Sequence, residues 1–124
     1  MRTIGLIGGM SWESTLSYYR IINQAVNVRL GGLHSARLVL YSVEFQELER
    51  LQHAGAWDEA CEILVDAACA LQSAGADFLA ICSNTMHKVA GVLQCRVGLP
   101  FLHIADATAD VVNALNLRRV GLLG

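Results

Sequence analysis

The chain reads as an α/β fold: an open parallel sheet of four to five strands with helices on both faces. Three observations predict it. Short apolar runs fit for buried strands alternate with longer stretches whose apolar residues recur every three or four positions. Glycines punctuate the joins between them. Apolar residues make up 54% of the 124 positions and charged residues 16%, with a single proline, which suits one well-buried domain of packed sheet and helix.

The elements follow in order. Thr3–Ile7 reads as a strand and Gly8-Gly9 as a tight turn. Ser11 can cap a helix to about Arg29, with Glu13 at its positive end. Leu16, Tyr19, Ile22 and Val26 form its apolar face, and Gly31-Gly32 ends it. Arg37–Ser42 is a second strand and Glu44–Gln52 a short helix. A long helix from about Asp58 to Ser73 turns Cys61, Leu64, Ala68 and Leu71 inward and stops at Gly75. Phe78–Cys82 is the third strand, and Thr85–Gln94 a helix. Pro100–Ile104 reads as a short fourth strand, after which Asp106 caps a helix to about Leu117. Arg118–Gly124 opens a fifth strand.

Val120-Gly121-Leu122-Leu123-Gly124 echoes Ile4-Gly5-Leu6-Ile7-Gly8. Residues 1–117 therefore read as one α/β unit, and residues 118–124 as an interrupted fifth strand or the start of a second unit.

Composition narrows the function. Nine Lys and Arg against eleven Asp and Glu leave a net charge of −2 and no basic stripe to neutralise phosphates, so nucleic acid is not an expected partner. No apolar run has membrane-spanning length, and the N-terminus lacks the pattern of a signal peptide. The four cysteines, at 61, 69, 82 and 95, form no C-x-x-C and no zinc-like cluster, so no metal site is expected. Reduced thiols in a cytoplasmic protein are the default, with Cys61, Cys69 and Cys95 as small core fillers.

Chemistry is concentrated where the third strand ends, at Cys82-Ser83-Asn84-Thr85. In an open parallel sheet, ligands sit beyond the carboxyl ends of the strands. A hydroxyl and an amide beside fresh helical N–H groups suit a small anion. Ser, Asn and Thr are also good helix caps, and the two roles are compatible. Side chains alternate along a strand, so Cys82 and Ser83 start out facing opposite ways. His87, one turn further on, is a proton shuttle or a polar first-turn residue. The Gly5-Leu6-Ile7-Gly8-Gly9-Met10 turn lacks dinucleotide spacing, but Gly8 and Gly9 let backbone N–H groups approach a carboxylate.

Gly8-Gly9-Met10-Ser11-Trp12-Glu13-Ser14-Thr15 together with Ser83-Asn84-Thr85-Met86-His87 resembles the aspartate/glutamate racemase family. Gly31-Gly32-Leu33-His34-Ser35 and Pro100-Phe101-Leu102-His103-Ile104 fit the same pattern. The resemblance implies one lobe of a two-lobe racemase, with the active site between two similar α/β lobes. It also implies that no cofactor is needed, and that each lobe supplies one proton-transfer residue, usually a cysteine. Aligning Asn84-Thr85 on the family's Cys-Asn-Thr motif puts Ser83 in the catalytic place, with Cys82 one residue early. By the same resemblance Met10, Gln52, Ser83, Asn84 and Thr85 are substrate contacts, and the substrate is an amino acid such as aspartate or glutamate. The second lobe and its cysteine do not occur in these 124 residues, so little activity is expected of them alone. A non-catalytic amino-acid-binding module is the alternative. An unfinished parallel sheet also leaves room for a homodimer.

Overall fold

The computed structural model describes residues 1–122. The elements are β1 (Ile4–Gly8), α1 (Trp12–Leu30), β2 (Leu38–Ser42), α2 (Phe45–His53), α3 (Trp57–Ser73), β3 (Phe78–Ile81), a 3₁₀ turn (Thr85–Val89), α4 (Ala90–Val97) and α5 (Ile104–Ala114). The sheet has the order β2-β1-β3, and both pairings are parallel.

Alternation along the strands builds two cores. Ile7, Leu79 and Ile81 point to one face, where Leu48 and Leu51 of α2, Leu64 and Leu71 of α3 and Leu93 of α4 bury them. Leu6, Ala80 and Cys82 point to the other, against Tyr18 and Ile22 of α1. Helices thus cover both faces, as expected from the alternating elements. The inner face predicted for α3 is also observed: Cys61, Leu64, Ala68 and Leu71 are all buried.

The sheet has three strands among the described residues, not four to five. The expected fourth strand is reduced to one parallel bridge, Leu79 to Phe101, with Leu79 N donating to Pro100 O at 2.9 Å and Leu102 N to Leu79 O at 2.8 Å. Pro100 has no N–H to extend the ladder. Two residues after Phe101, His103 already caps α5, its Nδ1 accepting from Ala105 N. One residue of strand is all that fits. His103 rather than Asp106 is the cap, and Asp106 sits in the first turn. Residues 118–122 form no strand, and the rest of the expected fifth strand, residues 123 and 124, lies outside the described residues.

Three smaller expectations also shift. Leu16 and Tyr19 are more than half exposed; of the expected face Ile22 does pack toward the sheet, joined by Thr15 and Tyr18. A bond from Gly9 N to the Thr15 hydroxyl sets the rotation of α1. Cys69 and Cys95 are exposed, while Cys61 and Cys82 are buried. Finally, the single helix expected over Thr85–Gln94 divides into a 3₁₀ turn followed by α4.

Candidate functional site

Parallel pairing gathers the carboxyl ends of all three strands. Cys82 N donates to Ile7 O, and Val43 N to Gly8 O, both at 2.9 Å. The glycine loop after β1 therefore lies between the segment leaving β2 and the segment leaving β3.

Local chemistry shapes that loop. Gly9 has φ +89°, and a Cβ there would run into the Val43 backbone. Gly9 N donates to Thr15 Oγ1 at 2.9 Å, and the Thr15 hydroxyl in turn lies 3.4 Å from Ser11 O. Ser11 occupies the cap position of α1 without making a side-chain capping bond. Its hydroxyl, and after it Glu13's own backbone N–H, hold the exposed Glu13 carboxyl below its ordinary value. The Ser14 hydroxyl lies 3.0 Å from both Ser11 O and Cys82 O, so its single proton ties the start of α1 to the end of β3.

The residues singled out from the sequence gather at this end of the sheet. Met10 is buried beside the glycine turn. Ser83 is half-buried, and Asn84 and Thr85 are exposed. Asn84 sits at the cap of the 3₁₀ turn but its side chain makes no capping bond, so the cap role anticipated for it is not used. Gln52, at the end of α2, donates from Nε2 to Met86 Sδ at 3.0 Å, which brings it to the loop after β3. Cys82 and Ser83 differ in burial, the first buried and the second half-buried. Cys82 lies in the α1-side core, where burial pushes its thiol up to about 12.

A cavity of about 610 Å³ opens beside Asn84, between His87 on one side and His103, Thr108 and Asn113 on the other. His87 Nδ1 is 2.7 Å from Ser83 O, and its Nε2 is 3.4 Å from Ile104 N. The Ser83 carbonyl that an α-helix would offer to the His87 backbone N–H is thus engaged by the His87 ring. The backbone N–H bonds Asn84 O instead, at 3.1 Å, which makes the turn 3₁₀. Burial holds the His87 pKa below its ordinary 6.5, aided by His103 and opposed by the bonds to backbone.

Sequence reasoning gave Ser14 and Thr15 only as part of the glycine-turn motif, with no role, and missed the α5 wall of the cavity. Ser14 and Thr15 stand three and four residues after Ser11, the spacing that stacks side chains on one helical face, so the first turn carried a usable signal. Thr108 and Asn113 carried none, because only the docking of α5 brings them near Asn84. Among the described residues, no group of three or more His, Cys, Asp or Glu is placed to hold a metal ion, and no helix is long and apolar enough to cross a membrane.

A family model for Asp/Glu/hydantoin racemases matches residues 7–124. Among solved structures, the chain is similar to an Asp/Glu racemase candidate from Yersinia pestis, with 55% identity and a TM-score of 0.97 over 100% of this chain and 54% of that one. It is also similar to an aspartate racemase homologue from Pyrococcus horikoshii OT3, with 35% identity and a TM-score of 0.88 over 95% of this chain and 51% of that one. An aspartate racemase from Picrophilus torridus shares the fold at 22% identity, with a TM-score of 0.71 over 98% of this chain and 79% of that one. The chain spans about half the length of the first two.

Proposed function

Because this chain belongs to the Asp/Glu/hydantoin racemase family, we propose that it is one lobe of a cofactor-independent amino-acid racemase acting on aspartate or glutamate. The observation that carries the reading is the exposure of Asn84 and Thr85, with half-buried Ser83, at the strand end that Ser14 ties to the glycine loop. There a free amino acid can lie against hydroxyl, amide and backbone N–H groups.

Racemisation takes the α-proton from one face of Cα and returns a proton to the other, so two acid/base groups must flank the carbon. Ser83 occupies the place of one of them. Asn84 and Thr85 hold the substrate's polar groups, Met10 offers backbone beside the glycine turn, and Gln52 reaches toward the side-chain end. N–H donors at the carboxylate stabilise the negative charge that spreads onto it as the carbanion forms. Cys82 is a poor candidate for the base, since a thiol held near 12 is protonated at neutral pH. The second group belongs to another lobe, so these 124 residues are inactive as an isolated lobe in this reading. The reduced thiols suit a cytoplasmic setting.

Incubation with L- and D-aspartate and glutamate in D2O, followed by chiral analysis and mass spectrometry, tests the proposal. Saturable binding with no more than trace racemisation is expected. Robust racemisation by these residues alone would refute the two-lobe account. The hydroxyl of Ser83, a far weaker base than a thiolate, favours a second reading, a non-catalytic amino-acid-binding module. Binding with no α-deuterium incorporation even after a second lobe is supplied would select it.

A further inference from the structure

The imidazole of His87 is held at both nitrogens. Nδ1 faces the Ser83 carbonyl at 2.7 Å, and Nε2 faces the backbone N–H of Ile104, the first residue of α5, at 3.4 Å. A carbonyl only accepts and an amide N–H only donates, so these partners define the ring as neutral, with its proton on Nδ1 and its lone pair on Nε2. Around it lie Phe101, edge-on at 5.8 Å between centroids, and His103 at 4.5 Å. His103 Nδ1 in turn accepts from Ala105 N at 3.1 Å. Two imidazole lone pairs therefore serve successive N–H groups at the start of α5.

We propose that His87 is a positioning residue, a proton-sensitive bolt that joins the Ser83–Thr85 loop to the N-terminus of α5 across one wall of the cavity. Neutral, the ring fixes the Ser83 carbonyl and with it the 3₁₀ turn that presents Asn84. Doubly protonated, it keeps the bond to Ser83 but turns an N–H toward the N–H of Ile104, at the positive end of a helix. The loop and α5 then part at that point.

The titratable neighbours agree with this polarity. His103, on the segment leading into α5, disfavours a second positive charge. Lys88, next along the 3₁₀ turn, carries its ammonium over the Trp57 ring at 4.0 Å. Asp106, in the first turn of α5, is exposed. A depressed value for a histidine means that the folded state prefers the neutral ring. The stability it contributes is complete above the ordinary 6.5 and is lost as pH falls through the lower folded-state value.

The bolt stands on geometry alone, whereas its effect on amino-acid binding rests on the function proposed above. Nitrogen-15 NMR of the 124-residue chain separates the two. The His87 ring is expected as the Nδ1–H tautomer at pH 7.5, titrating below 6.5, with the amide signal of Ile104, the residue bonded to Nε2, moving at the same midpoint. In His87→Asn, which keeps a donor for the Ser83 carbonyl, the Ile104 shift loses that midpoint, whereas Ala105, bonded to His103, is the internal control. Exchange of the Ile104 amide accelerates by about tenfold, the loss of one modest hydrogen bond. An Nε2–H tautomer, an Ile104 amide indifferent to the His87 titration, or an Ile104 shift that keeps the His87 midpoint in His87→Asn would overturn the proposal. The wild-type spectra decide it even if the variant fails to fold. Aspartate titrated at pH 7.5 and 5.5 is expected to bind more weakly at the lower pH in the wild type only. Absence of aspartate binding at either pH counts against the proposed function and leaves the NMR outcome for the bolt unaffected.

Discussion

Cys82 and Ser83 are one residue apart just past β3, yet they differ in burial. Cys82 shares the α1-side core with Leu6 and Ala80, and desolvation keeps its thiol protonated well above neutral pH. Ser83 is half-buried past the strand end. Thiol accessibility gives a direct check. Iodoacetamide at pH 8 is expected to modify Cys69 and Cys95 in the native chain and to spare Cys61 and Cys82 until denaturant is added. Rapid native alkylation of Cys82, read by peptide mass spectrometry, would mean that it faces solvent rather than α1.

At the scale of elements, the turn after β1 is the tightest joint in the fold. A Cβ on Gly8 would lie 2.5 Å from Thr15 Cγ2, and one on Gly9 would meet Val43 while forcing a side-chain residue to hold φ +89°. Gly9→Ala is therefore expected to cost about 2 kcal/mol or more, since both strain and overpacking oppose it. Urea denaturation read by circular dichroism measures the loss. A smaller change would mean that the loop can move away from Val43. The neighbouring joint, after β3, is governed by side chains instead: the His87 ring and the Gln52–Met86 contact set the path of the 3₁₀ turn.

At the scale of the whole molecule, the surface is large for the mass. The chain exposes 8124 Å², against about 6,500 Å² expected for a folded monomer of this size. Large apolar side chains are among the exposed residues. None of the residues of α5 is buried, Ile21, Val28 and Leu30 of α1 are more than half exposed, and a nearly non-polar groove runs between Tyr18, Ile21, Phe78 and Ile104. Apolar surface on this scale promotes association. Sedimentation velocity is expected to show a mass that rises with concentration, and Ile21→Glu, in the wall of that groove, should shift the distribution toward monomer. A concentration-independent monomer in the wild type would show that the groove stays open in solution.

The chain alone made the alternating α/β order, the core face of α3, the glycine turn and the cluster at Ser83-Asn84-Thr85 readable. Each rests on a local period or a local steric rule, and such rules act over a few residues. The sheet's size, the rotation of α1, the exposure of Cys69 and Cys95, and the meeting of His87 with the start of α5 were not readable. Those depend on which partners compete for a hydrogen bond or a face once distant segments have docked. Pro100 and His103 end a strand that composition favoured. The His87 ring, placed between Ser83 and Ile104, turns an expected α-helix into a tighter 3₁₀ turn.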